Sequence, residues 1–161
     1  MVNDENPIIW RGLMVMKAIN EMIDKVNWGD ADIMVIDLPP GTGDVQLSLI
    51  QKINISGSVI VTTPQDIALI DVVRGLKMFE KTKVPILGIV ENMSYFLTPD
   101  TGKEYSLYGE SKTKMIAEKY DYEILANLPH DPLLMEQSDK GHPLTDLVPD
   151  HKVSKIFNEL A

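Results

Sequence analysis

Short apolar runs alternate along this chain with stretches of helical periodicity, the order expected of strand–helix–strand units in an α/β domain. The first periodic stretch predicts a helix from about Trp10 to Val26, because Val15, Ile19, Met22, Ile23 and Val26 share one face. The run "ADIMVID" predicts a strand ending on Asp37, and a helix from about Asp44 to Ile53 leads into a second strand, "GSVIVTT". Both runs are apolar throughout, as strands covered on both faces are, so a parallel sheet with helices on both faces is expected. Thr63 then stands as an N-cap, with Pro64 at the first helical position and Asp66 three residues after the cap. Leu69, Val72, Val73, Leu76 and Phe79 line one face of that helix, which ends near Lys83. "ILGIVEN" and "YEILANLP" give two more strands, and further helices are expected at about Ser111 to Tyr120, Pro132 to Lys140 and Lys152 to Leu160. The long connection "SYFLTPDTGKEYSLYGE" carries a turn signal from Pro99 to Gly102.

Composition narrows the class. At 161 residues and 44% hydrophobic, the chain reads as a single domain spanning 1–161, able to bury roughly two-thirds of its unfolded surface. Fifteen basic residues against 24 acidic give a net charge of −9, which speaks against a nucleic-acid partner. The start "MVNDENP" has no basic segment followed by an apolar one, and no stretch approaches the roughly 18 to 20 apolar residues that span a bilayer. A cytoplasmic protein with no membrane partner is expected. The sequence has no cysteine, hence neither a disulfide framework nor a thiolate for zinc or iron.

Ligands of open parallel sheets sit beyond the carboxyl ends of the strands, an edge that here gathers Asp37, the Pro64 loop, Asn92 and Pro129. A strand-end acid such as Asp37 has two readings. It caps the following turn or helix, or it faces a metal: a hard oxygen on a rigid strand suits magnesium, directly or through water, and a following glycine lets a backbone N–H approach a phosphate. A dinucleotide reading of "GTGDVQ" fails, because Gln46 occupies the place of a small third residue and Pro39 and Pro40 replace the tight strand-to-helix turn. The phosphate-cradling pattern G-x-x-x-x-G-K-[ST] does not occur; "GESKTK" from Gly109 has a Lys-Thr pair with no glycine before the lysine. His130, His142 and His151 are far apart and close to turns or helix starts, so they read as solvated or capping residues. Met14, Met16, Met22 and Met34 read as core gap-fillers. The apolar stripe Val153, Ile156, Phe157 and Leu160 has few basic residues opposite it and reads as packing on the domain.

Together, "WRGLMVMKAI", "DIMVIDLPPGTGDVQLSLIQ", "VIVTTPQDIALIDVVRGLKMF", "VPILGIVENMSYF" and "LPHDPLLMEQSDKGHPL" resemble the Mrp (ApbC-type) iron–sulfur carrier ATPases, a branch of the MinD/ParA-like P-loop superfamily. The resemblance covers almost the whole chain. It implies that Asp37 matches the acid that organises magnesium, that Gly41 and Gly43 match the switch sensing the γ-phosphate, that Asn92 reads the adenine edge, and that Pro129 lies near the base. It implies Mg-ATP as cofactor, ATP hydrolysis coupled to iron–sulfur cluster assembly or transfer, and iron–sulfur client proteins as partners. The family's first strand and its two-lysine phosphate loop precede the part matched here. The chain is therefore expected to be the C-terminal portion of a P-loop ATPase-like domain, incomplete on its own, and to pair with a second copy or with an N-terminal half. Where the family usually has Cys-x-x-Cys after "NMSYF", this chain has Thr98-Pro99-Asp100-Thr101. Threonine hydroxyls are hard, neutral donors and an iron–sulfur cluster takes soft thiolates, so no cluster is expected on this loop. The other readings are a non-catalytic module keeping the family's partner surface, and a MinD/ParA-like positioning ATPase. "NMSYF" and "PPGTGDVQ" favour the carrier branch over the latter.

Overall fold

A computed structural model describes residues 12–38, 41, 43–98 and 100–161. The Trp10 start of the first helix, Pro39, Pro40 and Pro99 lie outside the described residues. The chain divides into two compact units, Met1–Ile55 and Ser56–Ala161.

In the first unit, helix α1 (Gly12–Lys25) packs against α2 (Asp44–Lys52), and Lys52 Nζ reaches Asn20 Oδ1 at 3.0 Å and Asp24 Oδ2 at 2.5 Å. Leu49 and Ile50 are buried, whereas Val15, Ile19 and Ile23 are half-buried. Two packed helices cover only one stripe of each other, so Met22 and Val26 are exposed, and of the methionines expected in the core Met14, Met22 and Met34 are exposed as well. The expected strand "ADIMVID" is also corrected. Residues 31–38 have no strand partner among the described residues, and Ile33 and Val35 are 81% and 90% exposed. A strand is defined by its ladder, and β-branched composition without a paired backbone does not make one.

The second unit is built on a parallel sheet of β1 (Ser58–Thr62), β2 (Ile86–Glu91) and β5 (Ile124–Asn127), in the order β1-β2-β5. Helix α3 (Asp66–Thr82) joins β1 to β2 and buries Leu69, Val72, Leu76 and Phe79 of the face expected of it, with Val73 half-buried. It begins at Asp66 after Gln65, whose carbonyl accepts from Ala68 and Leu69, so Thr63 is not its cap. Thr63 and Pro64 instead carry the chain from the end of β1 into the helix, since the residue before a proline is held in extended backbone.

Successive strand residues point to opposite faces. Ile60 and its partner Ile89 are buried on the α3 side, where Ile60 Cδ1 lies 3.5 Å from the place a Cβ on Gly75 would take. Val90 points the other way and joins Ala126, Leu128, Leu144 and Val153 in a second cluster, contributed by β5, α6 (Leu144–Leu147) and α7 (Lys152–Leu160). Helices therefore cover both faces, as expected, but not along the whole sheet. The second cluster reaches β2 and β5 and leaves Val59 and Val61 of β1 exposed, where full coverage was expected. Ile156, Phe157 and Leu160 pack on the same cluster, so the C-terminal stripe is spent on the core. The long connection contains a small hairpin not foreseen from sequence, β3 (Phe96–Leu97) with β4 (Glu104–Tyr105), followed by α4 (Thr113–Tyr120), and α5 (Pro132–Asp139) follows β5.

Candidate nucleotide site

Parallel strands bring their carboxyl ends to one edge, and in the second unit the Pro64 loop, Asn92 and Pro129 follow the ends of three neighbouring strands there. Backbone bonds continue the ladders past the strands. Asn92 N–H donates to the Thr62 carbonyl at 2.7 Å, Leu128 N–H to Glu91 at 2.8 Å, and Ser94 N–H to Leu128 at 2.9 Å. The turn after β2 is thus clamped from both sides. Within it Met93 adopts a left-handed conformation, φ 56°, and its N–H donates to Asn92 Oδ1 at 2.9 Å. That bond fixes the orientation of the half-buried amide and leaves Nδ2 with no partner among the described residues. A primary amide held this way presents a donor and an acceptor in one plane, the complement of a purine edge. Pro129 is buried two residues past the end of β5 and supplies no donor of its own.

The hairpin resumes the same register: His130 N–H donates to the Tyr95 carbonyl at 2.7 Å, and the Phe96 and His130 rings lie 6.3 Å apart. At its tip Thr98 N–H donates to Lys103 and Gly102 N–H to Thr98, with Gly102 at φ 64°; residues 100 and 101 form a turn, and Pro99, the start of the expected turn, lies outside the described residues. Thr98 Oγ1 and Thr101 Oγ1 are 2.5 Å apart, and Lys103 N–H donates to Thr98 Oγ1 at 3.1 Å. Two neutral hydroxyls satisfied by each other and by backbone do not fit an iron–sulfur cluster. His151 is a capping residue, as expected: it accepts from Val153 N–H at 3.3 Å and its other ring nitrogen lies 3.6 Å from Asp131, which caps α5 through Leu134 N–H.

In the first unit Asp37 is exposed. Gly41 sits at φ 97°, a conformation that suits glycine. Gly43 is the N-cap of α2, its carbonyl accepting from Leu47 at 3.2 Å. Beneath both glycines lies Gln46, only 3% exposed; a Cβ on Gly41 would stand 3.8 Å from its Nε2, and one on Gly43 3.6 Å from its Oε1. The glutamine that spoiled the dinucleotide pattern is therefore the floor of this turn. Among the described residues no group of three or more His, Cys, Asp or Glu side chains is placed to hold a metal. A lone carboxylate oxygen such as Asp37 still fits magnesium that keeps most of its water shell. A groove of about 440 Å³ between α3 and α4, lined by Leu69, Ile70, Val73 and Ile116 together with Asp66 and Arg74, presents mostly apolar surface and does not include Asn92 or Pro129.

A family model described as NUBPL iron-transfer P-loop NTPase matches residues 1–161. The chain belongs to that family. Among its relatives, an iron–sulfur cluster carrier protein of Aquifex aeolicus is 45% identical over 159 residues, 99% of this chain and 44% of the relative. An iron–sulfur cluster transfer protein of Dictyostelium discoideum is 44% identical over 161 residues, 100% of this chain and 50% of the relative. The chain thus spans about half the length of these curated relatives. A solved structure of a nucleotide-binding protein of Archaeoglobus fulgidus in complex with ADP is 42% identical, with a TM-score of 0.70 over 80% of this chain and 53% of that one. The cell-division ATPase MinD of Pyrococcus furiosus, 22% identical with a TM-score of 0.61 over 93% of this chain and 56% of that one, shares the fold. The resemblance read from the motifs and the α/β class with its parallel sheet both hold.

Two features of the site were not singled out from sequence. In the sequence Gln46 stands out only as a mismatch to the dinucleotide pattern, and Glu91, the buried acid that precedes Asn92, only as the end of a strand. A carboxylate closing an otherwise apolar strand run was the signal for Glu91, the same signal that drew attention to Asp37.

Proposed function

We propose that this chain is the base-side and switch portion of an Mg-ATP site in an iron–sulfur cluster carrier or assembly factor, incomplete without the phosphate-binding segment. The observation that carries the reading is the clamped Asn92 turn at the carboxyl edge of a parallel sheet, in a chain 42% identical to an ADP-bound nucleotide-binding protein. Asn92 would read the adenine edge, with Pro129 near the base. Gly41 and Gly43 would approach the γ-phosphate, and Asp37 would hold magnesium, directly or through water. In the complete site, water attacks the γ-phosphate while a lysine-bearing loop neutralises the developing charge. The relatives' names supply the cargo, an iron–sulfur cluster, and hence iron–sulfur clients. Thr98 and Thr101 do not fit that cargo, so a cluster would be held by other groups, from a partner or a further segment.

A carboxylate and an amide cannot replace a cradle of backbone N–H groups and a lysine. Calorimetric titration of the chain with Mg-ATP is expected to show no binding tighter than about millimolar, about 4 kcal/mol. A chimera that joins to this chain a glycine-rich, two-lysine phosphate loop of the kind the family resemblance implies should bind Mg-ATP, and Asn92→Ala in that chimera should weaken binding by about tenfold or more. Submicromolar binding by the isolated chain would refute its incompleteness; unchanged affinity in the chimeric Asn92→Ala variant would refute the base-reading role.

A further inference from the structure

Glu91 is the last residue of β2, the middle strand, and is only 4% exposed. Its two oxygens serve different segments: Oε1 accepts from Ser94 Oγ and Oε2 from Ser111 Oγ. None of the ion pairs among the described residues includes it. A buried carboxylate is costly unless its lone pairs are satisfied, so these two hydroxyls hold it in place and it holds them.

Ser94 and Ser111 are the two ends of the run 95–110 that contains the hairpin and the exposed Tyr105, Leu107 and Tyr108. At the near end, Ser94 Oγ also lies 3.2 Å from Asn127 Oδ1 on β5. At the far end, Ser111 Oγ accepts from Thr113 N–H at 3.1 Å and so sets the first turn of α4. Between Glu91 and Ser94 stand only Asn92 and the left-handed Met93. One side chain therefore fastens both ends of the loop to the turn that carries Asn92.

We propose that Glu91 is a positioning residue that couples the Asn92 turn to the hairpin loop, so that the turn and both loop ends move as one element. A displacement of Asn92 on engaging a base would be carried by the carboxylate to Ser111, and the arrangement of the loop would in turn set where Asn92 stands. The coupling rests on the proposed nucleotide reading only for what the turn binds.

Amide hydrogen exchange on the full chain, without nucleotide, tests it through Ser111→Ala, Glu91→Leu and their combination, with amides inside β1 and β2 as reference for global stability. Ser111→Ala should speed exchange at Met93 and Ser94 by about fivefold or more, and should add nothing there once Glu91 is leucine. Glu91→Gln, which keeps an acceptor for one serine and offers an N–H to the other, should restore most of the protection. Should Glu91→Leu fail to fold, Ser111→Ala alone and in the Glu91→Gln background carries the test. An effect of Ser111→Ala confined to Thr113 and the first turn of α4 overturns the proposal. Because no nucleotide is present, that result leaves the reading of Asn92 standing, and failure of the chimera experiment leaves the coupling standing.

Discussion

Asn92 N–H donates to the Thr62 carbonyl across 2.7 Å, one residue beyond Glu91, the last residue of β2 paired with β1. The turn after β2 is therefore secured through its backbone, while the Asn92 side chain has the separate task of capping Met93 N–H. Replacing Asn92 by alanine removes the second bond and keeps the first. The expected cost is about 0.5–1.5 kcal/mol, read as a shift in urea midpoint at unchanged slope. A loss several times larger would mean that the side chain supports more than this turn.

Gly88 lies in the middle strand at φ 154°, where a Cβ would stand 2.6 Å from Leu125 Cγ and 2.7 Å from the Glu123 carbonyl. The backbone oxygen belongs to the segment entering β5 and cannot rotate away. Gly88→Ala should destabilise the chain by about 1–3 kcal/mol through overpacking, measured by denaturant unfolding. A neutral substitution would show that the β2–β5 contact is looser than described.

Thr98 and Thr101 meet hydroxyl to hydroxyl at 2.5 Å. Anaerobic reconstitution with iron and sulfide should leave the wild-type chain colourless, whereas Thr98→Cys/Thr101→Cys places two thiolates side by side and should gain visible absorption, with a cluster shared between two subunits. A brown, cluster-bearing wild-type protein would locate the ligands elsewhere.

Lys152 Nζ lies 4.7 Å from the Tyr95 ring centroid and 3.4 Å from Glu104 Oε1, joining the start of α7 to the hairpin. The contact with Tyr95, helped by the Glu104 carboxylate and opposed by burial, raises its pKa above the ordinary 10.5. A raised folded pKa means that the contribution is complete below the unfolded value and disappears only as pH climbs through the folded one. Lys152→Met should therefore cost the same at about pH 6 and about pH 9, about 0.5–1 kcal/mol for a largely exposed cation over a ring. The difference from wild type should close only in more alkaline solution. Unfolding curves at the two pH values check this, and a gap that already narrows between them would contradict it.

Elements whose periodicity and burial are set within the second unit were legible from sequence. The stripe Val153, Ile156, Phe157 and Leu160 specified α7 to the residue, and Leu69, Val72, Leu76 and Phe79 specified the inner face of α3. The start of α3 was misplaced because Thr63 and Pro64 make a good cap on paper, while the continuing β1–β2 ladder holds that backbone extended. Ala31 to Asp37 carries strand chemistry, but strand formation depends on a neighbour that composition cannot supply. Asn92 and Pro129 were placed at one edge by topology alone, since parallel strands share their carboxyl ends. Glu91 escaped because its role lies in bonds to Ser94 and Ser111, and the latter is twenty residues away and shares no periodic pattern with it.

The burial of Val153 against Val90, Ala126 and Leu128 has a consequence for how the chain matures. Each strand pair of the sheet joins segments separated by at least a whole helix, so contacts are non-local and folding is slow compared with a helical bundle of this size. During synthesis the Val90 side of the sheet stays incompletely covered until residues 152–160 have left the ribosome, because α7 supplies much of its cover. A nascent chain stalled before that helix would present an apolar sheet face to chaperones and to other nascent chains, and proteolytic loss of the same nine residues from the finished protein would recreate that state.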